Sequence, residues 1–66
     1  MLFWVTAAIG FVNGSNIDVP FNVRAKDLDE LMSIVTRDYI MANVSDDWGV
    51  PIQNVTVVKA EAVQEY

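Results

Sequence analysis

Asp27-x-Asp29-Glu30 and the adjoining pair Asp46-Asp47 are the side-chain groups in this sequence best placed for chemistry. Clustered carboxylates can ligate a hard cation or divide into a general acid and a general base. Asp27-x-Asp29 resembles the start of a calcium loop, but the loop glycine and the distal Glu do not follow. Helix capping accounts for the first group and a solvated loop for the second. The chain contains no His and no Cys. That excludes disulfides, thiolate or imidazole metal sites, and Ser–His or Cys–His nucleophile pairs. Gly10, Gly14 and Gly49 form no phosphate-cradling motif. Asn13-Gly14-Ser15, Asn43-Val44-Ser45 and Asn54-Val55-Thr56 would accept glycans only in a secretory pathway, and read here as polar, turn-rich stretches. The expectation is a chain that is not an enzyme, with no catalytic residue, metal or cofactor.

Size and charge narrow the remaining classes. Residues 1–66 make one domain. A chain this short buries only about 60% of its unfolded surface, so it is marginal alone. With disulfides and metals excluded, oligomerisation is the remaining staple. The 53% of hydrophobic residues supplies the material. Nine Asp plus Glu against four Lys plus Arg give a net charge of −5. Nucleic acids and anionic membranes both call for cations, so neither is expected as a direct partner. An acidic balance favours solubility and draws basic partners.

The opening "MLFWVTAAIGFV" has no Lys or Arg, unlike a signal peptide, and is too short for a spanning helix. A cytoplasmic protein is expected. The stretch reads as a strand with two apolar faces. Phe3, Val5, Ala7, Ile9 and Phe11 form one face; Leu2, Trp4, Thr6, Ala8, Gly10 and Val12 form the other. "NGSN" supplies turn chemistry, since Asn13 and Gly14 tolerate positive φ. "IDVPFNVRA" then alternates, with Ile17, Val19, Phe21, Val23 and Ala25 on its apolar face. Pro20 lacks an N–H, which places this second strand at a sheet edge.

The spacing predicts a helix over residues 27–43. Asp27 is its N-cap, and Glu30 makes a capping box. Leu28, Leu31, Met32, Val35, Tyr39 and Ala42 form the core stripe. Ile34, Ile40 and Met41 fall off it, as solitary exposed residues or as a contact surface. The loop "SDDWGVPIQN" brings Trp48, Val50 and Ile52 to the open end of the core. A third strand runs over residues 55–63. Val55, Val57 and Val63 share one of its faces; Thr56, Val58, Ala60 and Ala62 share the other.

These elements make an α+β, ββαβ chain: a three-stranded antiparallel sheet of order 2-1-3 with one helix on one face. The other face would carry Leu2, Trp4, Ala8 and Val12 beside Val58, Ala60 and Ala62. An uncovered apolar patch of that kind marks an interaction site. Either a second copy or the Trp48 loop covers it. A homodimer is the expectation, because two-fold dimers are the commonest oligomers.

The junction "FNVRAKDLDEL", residues 21–31, resembles the V-x-A-x-D-x-D-E strand-to-helix junction of small phage-encoded and bacterial ββαβ accessory proteins. The resemblance implies a phage protein that binds and blocks a host protein, in the host cytoplasm, with DNA mimicry as one mode. Its partner would be a basic, nucleic-acid-binding protein. On the charges alone, Asp18, Asp29, Glu30, Asp46 and Asp47 are the expected contacts of an acidic protein-binding module. The alternative is a structural or assembly subunit held through its apolar sheet face.

Overall fold

The computed structural model describes residues 1–44 and 47–64. Its elements in order are β1 (Leu2–Phe11), β2 (Asn16–Arg24), α1 (Leu28–Ile34), α2 (Arg37–Asn43) and β3 (Ile52–Val63). The sheet order is β2-β1-β3, with both pairings antiparallel. The class is α+β, as the alternation of residues implied. Pro20 stands opposite Thr6 on the edge strand β2. There its missing N–H costs no ladder bond.

The hairpin between β1 and β2 is built by "NGSN". Gly14 takes φ of +89° and its N–H donates to the Phe11 carbonyl at 3.0 Å. The Asn13 side-chain oxygen accepts from the Ser15 N–H at 3.0 Å and from the Ser15 hydroxyl at 2.6 Å. Of the two residues expected to suit positive φ, only Gly14 takes it; Asn13 keeps negative φ and serves the turn through its side chain.

On one face of the sheet, Phe3, Val5, Ala7, Ile9 and Phe11 are buried with Val23, Ala25 and Ile52. Leu31, Val35 and Ile40 close the core from the helical layer. No polar or charged side chain is buried among the described residues.

The helical layer differs from the expected single helix over 27–43. It is two helices of seven residues each. At Val35 the backbone leaves the helix, with φ −78° and ψ 90°. Thr36 then caps α2, its hydroxyl accepting from the Tyr39 N–H at 3.3 Å. The break resets the phase. Val35 and Ile40 both face the core although they are five apart; an unbroken helix would set them roughly 140° apart. Ile40 is therefore core, Ile34 packs against it, and Leu28, Met32 and Ala42 of the expected stripe are exposed. Asp27 caps α1 as expected, accepting from the Glu30 N–H at 2.9 Å, while the Glu30 carboxylate accepts from the Lys26 N–H at 3.0 Å.

β3 also departs from strict alternation. It begins at Ile52, opposite Phe11, three residues before the expected start. Its register shifts where Thr6 pairs with Lys59 but Ala7 pairs with Val57, leaving Val58 as the extra residue. A bulge of this kind flips the facing of every residue beyond it. Ala60 pairs with Val5 and Ala62 with Phe3, so both lie on the helix side of the sheet. Lys59, Glu61 and Val63 lie on the other side, opposite Thr6, Trp4 and Leu2.

Thr36→Ala removes the cap that restarts the helix and should cost about 1 kcal/mol in urea denaturation. Leu31→Ala, at a fully buried site, should cost about 2–5 kcal/mol, enough to unfold so small a domain.

Candidate functional site

The carboxylates do not gather. Asp18 stands opposite Ala8 on the outer face of the sheet, toward the hairpin. Asp29 and Glu30 lie in the first turn of α1, past the far end of β2 and on the helix side. Glu30 is already engaged by the cap. Asp47 precedes Trp48 near Phe11, at the hairpin end. Asp46 lies outside the described residues. The expected acidic contacts are thus divided between the two ends of the molecule. Among the described residues, no group of three carboxylates is placed to hold a metal ion.

Trp48 packs edge-to-face on Phe11, with ring centroids 5.6 Å apart and planes at 64°. Phe11 belongs to the core side of β1, so Trp48 closes the end of the core. It does not cover the outer face. Beside it lies a shallow cleft of about 350 Å³ lined by Met41, Trp48, Gly49, Val50, Pro51 and Ile52. None of these side chains can act as an acid, base or nucleophile.

The outer sheet face is the more distinctive surface. Its central column is Leu2, Trp4, Thr6, Ala8 and Gly10 from β1, with Val12 exposed beyond. Trp4 is 43% exposed and sits between Asn22 of β2 and Glu61 of β3. Leu2 sits between Arg24 and Val63 in the next row. Lys59 Nζ lies 3.1 Å from Glu61 Oε1 along the rim. At the other end a Cβ on Gly10 would come within 2.6 Å of Asn54 Oδ1, so the Asn54 amide lies across the glycine. The face therefore has an apolar cluster, Leu2, Trp4 and Val63, inside a polar and charged border.

This composition corrects the expected interface. Leu2, Trp4, Ala8 and Val12 are where the alternation of β1 put them. Ala60 and Ala62 are on the opposite side, and Val58 is the residue left over at the bulge. Lys59 and Glu61 take their places. A sheet-on-sheet contact across this face would have to desolvate those charges together with Asp18 and Arg24. The missed signal is the doublet Val57-Val58, where the apolar positions pass from odd to even numbers.

No described helix is long and apolar enough to cross a membrane. Comparison of the chain with protein-family models, with curated proteins and with solved structures finds no match.

Proposed function

We propose that the chain is a non-enzymatic protein-binding module whose contact surface is the outer sheet face around Trp4. One observation carries this reading: a half-exposed tryptophan in the middle strand, with Leu2 and Val63 beside it and Asn22, Arg24, Lys59 and Glu61 around them. Binding surfaces have an apolar centre and a polar rim, and Trp and Arg dominate their energetics. A rigid sheet also holds such a cluster at little ordering cost. The net charge of −5 adds long-range attraction for a basic partner, without a single acidic face.

Two Trp substitutions separate binding from folding. Trp48→Ala should cost about 3 kcal/mol of stability, because Trp48 closes the core against Phe11. Trp4→Ala should cost about 1–2 kcal/mol, because much of that ring is already in water. Urea denaturation of both variants checks the order. Equal losses would make Trp4 a structural residue.

The binding test is affinity capture with wild type and Trp4→Ala as parallel baits. A protein retained by the wild type should be lost from the variant, with a cost of about 2 kcal/mol or more once its affinity is measured. A variant with Asp18, Asp29 and Asp47 changed to Asn and Glu30 to Gln should keep that partner and associate more slowly. Retention by Trp4→Ala with loss in the carboxylate variant would move the contact to the acidic ends.

A further inference from the structure

We propose that two copies of this chain pair antiparallel through the free edge of β3, with Ala60 of each copy on the two-fold axis. This contact runs along the strand edge, and its Lys59 and Glu61 also border the Trp4 face.

Pro20 fixes which backbone groups face that edge. It has no N–H, so its pair with Thr6 is of the non-hydrogen-bonded kind. The two kinds of pair alternate along an antiparallel ladder. Odd-numbered residues of β1 therefore bond to β2, and even-numbered ones bond to β3. The Ala25 N–H donating to the Met1 carbonyl at 2.9 Å continues the odd series. Leu2, Trp4 and Thr6 thus engage Val63, Glu61 and Lys59. The N–H and carbonyl groups of Ala60 and Ala62 point out of the sheet, where none of the described strands pairs with them.

The β2 edge is less suited to the same use. Pro20 removes the central N–H from its outward row of residues 16, 18, 20, 22 and 24. On β3 the bulge at Val58 confines regular pairing to residues 59–63.

Charge chooses the occupant and the register. Lys59 and Glu61 lie on the same face of β3, with side chains 62% and 59% exposed. With Ala60 on the axis, Lys59 stands opposite the partner's Glu61, and Glu61 opposite the partner's Lys59. Moving the axis to Glu61 sets glutamate against glutamate; moving it to Lys59 sets lysine against lysine. Opposite charges across a strand pair stabilise it, and like charges destabilise it. The segment is complementary to itself in that register, as a two-fold contact requires. The small side chains of Ala60 meet at the axis on the helix side.

Sedimentation equilibrium of the full chain should show a dimer. In K59E its dissociation constant should rise by about tenfold or more, because like charges then face each other on both sides of the axis. The double variant K59E/E61K restores opposite charges in the same register and should return the constant to the wild-type value. The chain has no cysteine, so Ala60→Cys can be read cleanly. It should cross-link two copies under mild oxidation, because paired Cα atoms about 5.5 Å apart lie within disulfide reach. Asp18→Cys on β2 is the control. A wild type that stays monomeric at millimolar concentration overturns the proposal. So does K59E associating as tightly as wild type, a charge swap no tighter than K59E, or Ala60→Cys cross-linking no faster than Asp18→Cys. If circular dichroism shows K59E unfolded, the cross-linking comparison decides.

Discussion

Both ladders of the sheet run through β1, so this strand has to satisfy a neighbour on each side while filling the core. Its odd-numbered side chains, Phe3 to Phe11, are all buried beneath the helical layer. Its backbone alternates between partners, bonding to β2 at one residue and to β3 at the next. A one-residue slip would turn Phe3, Val5 and Ile9 into water and bring Trp4 and Thr6 inside. The register of β1 is therefore held by burial and by hydrogen bonding together. The short helices contribute little by themselves: seven residues are too few for a stable isolated helix, and Leu31, Val35 and Ile40 hold them to the sheet.

The parts legible in the sequence were those governed by one uninterrupted period. The alternation of residues 2–11 and 16–24, the Asn13-Gly14 turn and the missing N–H of Pro20 together implied the hairpin and the order of the strands. What escaped were changes of phase. The apolar residues of 28–43 fit one helix almost as well as two, and only the capping of Thr36 separates the cases. The doublet Val57-Val58 fits a plain strand if one of the valines is counted as solvent-facing. Each break alters the backbone of only one or two residues and moves the later side chains to a new face. For that reason half of the site was readable: Leu2 and Trp4 precede any break, whereas Lys59, Glu61 and Val63 follow one.

Charge and shape act at different ranges in this molecule. The carboxylates of Asp18, Asp29, Glu30 and Asp47 are spread over both ends, and Glu30 already serves the cap of α1. Their summed field is felt over about 8–10 Å at ordinary ionic strength. The Trp4 cluster acts only on contact, where its apolar area leaves water. Acidity can thus raise the frequency of encounters without choosing the docking pose. In the proposed function the pose would be set by the row of β1 side chains that the bulge of β3 flanks with Lys59 and Glu61.

Pro20 has a consequence for how far a sheet of this kind can grow. Polymer chemistry sorts monomers by the number of ends that react: two-ended monomers make chains, and one-ended monomers stop at pairs. An ordinary open sheet has two bonding edges and can extend without limit, the geometry of a fibril. Here the β2 edge is interrupted at its centre by the pyrrolidine ring, leaving β3 as the more reactive end. In the edge pairing proposed above, this one proline would make a short, β-rich chain act as a chain terminator towards its own copies.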